Sequence, residues 1–287
     1  MRKAFILVLL FISTLSVFAF QKPSKKDYLI TITTPYGDMK AILFEDTPLH
    51  RENFLKLAEE GFYDSLLFHR VINNFMIQGG DPESRDADLD ARLGNGGPGY
   101  RIPAEISGKH YHRKGAIAAA RQGDNFNPDR ESSGSQFYIV QGDTVPENDY
   151  ERVNLRNIGE AFTDWARDNQ DNEMVQTINK LLREEGEEGL KKYVEENLSK
   201  IESMTGEVLS FPSERKAVYA EVGGTQHLDG KYTVFGQIIS GLDVIDKIAE
   251  VDTNRSDRPA FDIKMAISVE RMRKKKITKL YGYAYPQ

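Results

Sequence analysis

The sequence predicts an antiparallel sheet, closed or sandwiched, interrupted late in the chain by a block of helix, and three observations predict it. Short β-type apolar runs begin at Tyr28 and recur at Leu66–Ile72, Gly115–Ala120, Phe137–Val140, Tyr232–Ile239 and Asp262–Val269. Gly-rich and Asn/Asp-rich loops separate them with no strand–helix–strand rhythm, which argues against a doubly wound sheet. Between Asp143 and Val222 the apolar period lengthens from two residues to that of a helix. Composition agrees with a globular chain: 287 residues, 39% hydrophobic and 29% charged, with 23 Gly and 11 Pro, unlike a polytopic membrane protein or a low-complexity repeat.

The elements follow in chain order. Residues 1–20 open with Arg2 and Lys3, run through an apolar stretch from Ala4 to Leu15 and reach Val17-Phe18-Ala19, the pattern of a cleaved signal peptide. The competing reading is an uncleaved anchor, because Ala4–Phe20 is at the short end of a membrane span. Either reading exports the body, and a periplasm is the expected compartment. Tyr28–Phe44 reads as a hairpin turning at Gly37-Asp38. Thr47-Pro48 then supplies an N-cap and a first-turn proline for a helix whose apolar stripe is Phe54, Leu57 and Ala58, ending at Gly61. Residues 143–222 carry ten Lys/Arg against nineteen Asp/Glu. Met174, Val175, Ile178, Leu181 and Leu182, followed by Leu190, Tyr193, Val194, Leu198, Ile201 and Met204, predict a helical hairpin broken at Gly186 and Gly189. Val244, Ile245, Ile248 and Ala249 fall on one face of a second capping helix. Residues 271–287, basic and then aromatic, read as a solvated tail.

Several chemistries are excluded. With no cysteine there can be no disulfide, thiolate metal site, cysteine nucleophile or lipidated cysteine. A net charge of −6 argues against a general grip on nucleic acid. Gly94-Asn95-Gly96-Gly97-Pro98-Gly99 satisfies a dinucleotide-binding pattern by letter, but no strand leads in and Pro98 opens no helix. Of the five histidines only His110 and His112 are close, without a carboxylate ladder, so no metal is expected. No G-x-S-x-G elbow occurs, and Ser132, Ser133 and Ser135 read as turn residues.

Phe68-His69-Arg70-Val71-Ile72-Asn73-Asn74-Phe75-Met76-Ile77-Gln78-Gly79-Gly80-Asp81-Pro82 is what remains. Strand alternation places His69 and Arg70 on opposite faces, one interior and one open. Large apolar groups and an amide close behind Arg70 suit an apolar peptide cleft with a few convergent polar groups. This stretch closely resembles the signature of the cyclophilin family of peptidyl-prolyl cis-trans isomerases. Gly97-Pro98-Gly99-Tyr100 with Ile102-Pro103-Ala104-Glu105, Gly134-Ser135-Gln136-Phe137-Tyr138-Ile139, and Leu228-Asp229-Gly230-Lys231-Tyr232-Thr233-Val234-Phe235-Gly236 support the resemblance in the same order. It covers 28–141 and 223–270, and makes 143–222 an insertion.

The resemblance implies an eight-stranded antiparallel barrel capped by two helices, here with an inserted α-helical hairpin. It implies that Arg70 is the catalytic arginine and that Phe75 and Met76 floor a proline pocket. Gln78 and Gln136 would orient the peptide, Ala120 offer its backbone, and Tyr138 and Leu228 form the wall. His227 stands where the family most often has tryptophan and Tyr232 where it has histidine; each keeps a ring with a polar tip, so both belong to the expected substrate-binding set. Without the indole, strong cyclosporin binding is not implied. The expected activity is isomerisation of X-Pro bonds in proline-containing peptides and unfolded or partly folded exported proteins, with no metal, nucleotide or other cofactor and with a monomeric enzyme. The alternative is a proline-peptide-binding or chaperone module whose insertion holds clients while catalysis is incidental.

Overall fold

The computed structural model describes residues 24–286 apart from 145, 207–208 and 210–213. The signal-peptide reading of residues 1–20 lies outside the described residues. Ten strands are described: β1 (Lys26–Thr34), β2 (Gly37–Leu43), β3 (Phe68–Ile72), β4 (Met76–Gly79), β5 (Arg101–Ile102), β6 (Ala116–Ala119), β7 (Ser132–Ser133), β8 (Phe137–Val140), β9 (Val234–Ser240) and β10 (Ala266–Arg273). Eight of them form one antiparallel sheet in the order β10-β1-β2-β9-β6-β8-β4-β3, while β5 and β7 pair separately. The eight-stranded sheet curls until its two edges meet just outside the regular ladders. Leu67 bridges Lys264, and Phe68 N–H donates to the Ile263 carbonyl at 2.9 Å, so the unpaired edges are stitched rather than left to water.

Two helices close the ends. The α1 helix (Pro48–Glu59) buries His50, Phe54, Leu55, Leu57 and Ala58, and α6 (Leu242–Ala249) buries Val244, Ile245, Ile248 and Ala249. Their apolar stripes meet the inward residues of the sheet, Ile30, Ile32, Leu43, Phe68, Ile77, Ile117, Phe137 and Phe235 among them, in one core. Thr47 does precede α1, but its hydroxyl turns back to the Phe44 carbonyl. The carboxylate of Glu105 replaces it, accepting from the Leu49 and His50 amides at 3.0 Å each and contacting His50 Nδ1 at 2.7 Å. Pro48 needs no such partner, because it brings no N–H.

Among its described residues the block at 143–222 holds four helices where the apolar spacing predicts a pair: α2 (Glu147–Arg167), α3 (Glu173–Glu184), α4 (Gly186–Thr205) and α5 (Glu214–Val222). The two predicted stripes are α3 and α4, and Asn172 caps α3 by accepting from the Met174 amide at 2.9 Å. Ile158, Phe162, Met174, Val175, Ile178, Val194, Ile201 and Leu209 form a core of their own, separate from that of the sheet. The two ends of the block meet. Asp143 bridges Gly224, and a Cβ on Gly142 would come within 2.3 Å of the Gly224 Cα, an approach that only glycine permits.

The C-terminal segment is not the solvated tail that its composition suggests. Arg271, Met272 and Arg273 are the last residues of β10, paired with Tyr28, Asp27 and Lys26, and α7 (Lys274–Tyr281) follows at once. Ile277 is fully buried against Leu29, Ile42 and Met272, with Tyr281, Tyr283 and Tyr285 packed beside it. Lys275, Lys276 and Lys279 leave α7 on its solvent side while one apolar stripe covers the outer face of the sheet, so a basic composition conceals an amphipathic helix.

Candidate active site

The site begins as a row across the sheet. Arg70 on β3 faces Gln78 on β4, Gln78 faces Tyr138 on β8, and Tyr138 faces Ala118 on β6. Alternation resolves as expected in the signature strand: His69 is only 4% exposed, whereas the Arg70 side chain is 42% exposed. Burial pushes the His69 imidazole down to about 4, so it is neutral. Met76, Ala118, Tyr138, Val140 and Val234, with Phe75, Ala120, Leu228 and Tyr232 packed against them, form an apolar cluster outside the barrel core. That cluster floors a cavity of about 720 Å³.

Arg70, Phe75, Met76, Gln78, Ala120, Tyr138, Leu228 and Tyr232 all line this cavity. The Arg70 guanidinium is held from two sides. Its Nε donates to Asp257 Oδ2 at 3.3 Å and its Nη1 to Gln78 Oε1 at 3.5 Å. The chain of amides continues, Gln78 Nε2 donating to Gln136 Oε1 at 3.0 Å and Gln136 Nε2 to the Gly96 carbonyl at 2.7 Å. Gln136 itself lines an adjoining cavity of about 470 Å³ that shares Gln78 and Ala120 with the first. The expected groups other than His227 therefore converge on one groove with two compartments.

His227 is placed differently from the expectation. It lies outside the cavity wall, with its ring stacked behind Phe75 at 5.6 Å between centroids and 23° between planes. Desolvation lowers its pKa, with His112, Arg156 and Lys231 acting in the same direction, so the ring is an uncharged support for the apolar floor. Tyr232 meets Tyr138 edge-on at 5.8 Å, and the Arg121 guanidinium lies 4.5 Å over the Tyr232 ring.

Two parts of the wall escape the sequence reading. The loop Leu89–Asn95 forms one side of the cavity, held in place by Arg258, whose Nη1 and Nη2 donate to the Asp88 and Ala87 carbonyls, and by Asp81, which accepts from the Gly94 amide. Asn254, Ser256 and Arg258 line the cavity from the segment after α6, with Asp257 at φ 60° behind Arg70. Neither segment has apolar periodicity, and only long-range hydrogen bonds bring them here.

The chain matches known proteins in sequence and in fold. The family model described as Cyclophilin type peptidyl-prolyl cis-trans isomerase/CLD matches residues 29–195 and 210–269, running through α2 and α3 into α4 and resuming before α5. A Streptococcus pyogenes protein, described provisionally as a bifunctional phosphatase/peptidyl-prolyl cis-trans isomerase, is 33% identical over 240 residues. Those residues are 82% of this chain but only 37% of that protein. A Staphylococcus epidermidis protein, described provisionally as a peptidyl-prolyl cis-trans isomerase, is 31% identical over 82% of this chain and 87% of its own length. Among solved structures, a Cryptosporidium parvum cyclophilin type peptidyl-prolyl cis-trans isomerase superposes with a TM-score of 0.50 at 21% identity. The superposition covers 85% of this chain and 98% of that one, a likeness of fold.

Proposed function

The chain belongs to the cyclophilin type peptidyl-prolyl cis-trans isomerases, and we propose on that footing that it accelerates rotation about X-Pro bonds in the groove built on Arg70. The observation that carries the reading is a permanently charged guanidinium at the edge of an apolar, ring-lined cavity, tied into a line of amides that runs along the groove.

Rotation about a peptide bond is slow because the C–N bond has partial double-bond character, with a barrier of roughly 18–20 kcal/mol. An N–H of Arg70 donating to the prolyl nitrogen stabilises the pyramidal nitrogen of the twisted state and withdraws its lone pair from the carbonyl. Unlike a lysine, the arginine does so with no risk of deprotonation. Phe75, Met76, Tyr138 and Leu228 hold the proline ring, while Gln78 and Gln136 fix the flanking backbone, so motion is confined to one bond. A thousandfold gain needs only about 4 kcal/mol of transition-state stabilisation, within the reach of a preorganised donor in a partly dry pocket.

The expected test is magnetisation exchange on a short Ala-Pro peptide. The protein accelerates cis/trans exchange, and Arg70→Ala loses on the order of a hundredfold of that acceleration with its melting temperature retained. Equal acceleration by the two would remove Arg70 from the mechanism.

The setting we propose is an exported, periplasmic monomer acting on folding proteins; Arg2, Lys3 and the apolar run Ala4–Leu15 support the export. Cell fractionation and the N-terminal sequence of the accumulated protein test it. A second reading, in which the helical block holds clients, is favoured by the nearness of the block to the groove: Lys231, just beyond the turn carrying His227 and Leu228, pairs with Glu160 of α2 at 2.8 Å. Under it, Arg70→Ala would still suppress aggregation of an unfolded protein.

A further inference from the structure

The helical block touches the substrate groove through a buried path. Asp229, directly after the wall residue Leu228, is 4% exposed and accepts four hydrogen bonds. Two come from the barrel side, the His112 amide at 2.8 Å and His112 Nδ1 at 2.9 Å, both to Oδ1. Two come from α5, Arg215 Nη1 at 3.2 Å and the Tyr219 hydroxyl at 2.9 Å, both to Oδ2. On its other side, the His112 ring lies with Nε2 2.9 Å from the Tyr138 hydroxyl, and Tyr138 is a wall of the cavity. His112, Arg215 and Tyr219 are all within about 1% of full burial.

Chemistry fixes the direction of the first of these bonds. A carboxylate only accepts, so His112 Nδ1 carries the hydrogen that meets Asp229, and Nε2 is the nitrogen turned to the Tyr138 hydroxyl. The Tyr138 ring is thereby oriented by a chain that starts on α5. That helix is itself clamped to the barrel: Arg215 Nη2 donates to the Gly108 carbonyl, its guanidinium lies 4.4 Å over the Tyr111 ring, and a Cβ on Gly224 would strike both the His112 carbonyl and the Tyr219 ring.

We propose that α5 is a positioning element of the isomerase groove, in which Arg215 and Tyr219 set Asp229, Asp229 sets His112, and His112 sets Tyr138. The inference rests on the isomerase reading above and adds to it a role for the helical block that needs no client contact. A fully buried arginine on an otherwise acidic, solvent-facing block follows directly, since Asp229 needs a charge partner once it is taken out of water.

The test uses Tyr219→Phe, which removes one hydroxyl without opening a cavity, because an Arg215 variant would strand a buried carboxylate and endanger the fold. Exchange catalysis on the Ala-Pro peptide, the peptide's affinity, and the His112 Nδ1 proton resonance are measured for the wild type, Tyr219→Phe, Tyr138→Phe and the double variant. Expected are a loss of about threefold to tenfold in catalytic efficiency for Tyr219→Phe, a shifted His112 resonance, and no further loss when Tyr219→Phe is added to Tyr138→Phe. Wild-type efficiency in Tyr219→Phe, or losses that multiply in the double variant, would overturn the proposal. If the wild type itself fails to accelerate exchange, the isomerase reading falls, while affinities across the same four proteins still decide whether α5 positions the groove.

Discussion

Arg70 is gripped by an acid and an amide, and the two partners do different work. Asp257 takes the Nε hydrogen, and Gln78 takes one from Nη1, which fixes the plane of the fork and aims its remaining donors over the cavity. The charge alone is therefore not enough. Arg70→Lys keeps the charge but offers a point ammonium with no plane to fix, and it is expected to lose at least about tenfold in exchange catalysis on the Ala-Pro peptide. Near-wild-type rates in that variant would mean that the geometry of the fork is immaterial. Of these groups, Arg70, Phe75, Met76 and Gln78 are legible in the chain because they sit within nine consecutive residues whose spacing is set by one hairpin. Asp257 is not, being 187 positions away and held at a left-handed φ that no local pattern announces.

Single elements show how far local signals reach. The start of α1 is visible from Thr47-Pro48, yet its cap comes from Glu105, whose carboxylate satisfies two amides and touches His50. Glu105→Ala is expected to cost about 1–2 kcal/mol, read from urea unfolding, because two amide donors and a buried imidazole lose their acceptor together. A variant as stable as the parent would return the cap to Thr47. In the helical block, α3 and α4 are legible because their apolar stripes are continuous. The stripe of α2 is present too, in Leu155, Ile158, Phe162 and Trp165, but Asn157 and Gly159 break it and the surrounding acid residues hide it. The short α5 carries no such stripe: what it buries is an arginine and a tyrosine, whose purpose is invisible until Asp229 is in place. The C-terminal segment misleads for a similar reason, since one fully buried isoleucine among lysines is enough to dock α7 on the sheet.

For the molecule as a whole, the buried imidazoles of His50 and His69 and the half-buried one of His227 make acid a threat. Burial is the main cause that lowers the pKa of His50, His69 and His227, with His69 at about 4. Above the unfolded value near 6.5 both states are neutral there and nothing is gained or lost. As pH falls below it, the unfolded chain takes up protons that the native chain refuses, so stability falls down to about pH 4. His69 alone accounts for a loss of about 3 kcal/mol at the acid end. Urea midpoints between pH 7 and 4 should fall steadily, and His69→Gln should flatten the slope; an unchanged midpoint would place a proton on His69 in the native state.

The strand order has a further consequence. β1 lies between β2 and β10, with Lys26 paired to Arg273, so the first described strand is flanked on one side by the last. During synthesis β1 and β2 can form a hairpin, but the free edge of β1 must wait for almost the entire chain, and β9, the link between β2 and β6, arrives only after the helical block. The barrel therefore cannot nucleate and grow from its N-terminus; it is assembled late, with high contact order and an exposed edge in the interval. The helical block, whose ends are pinned together and whose core is its own, can collapse ahead of that closure.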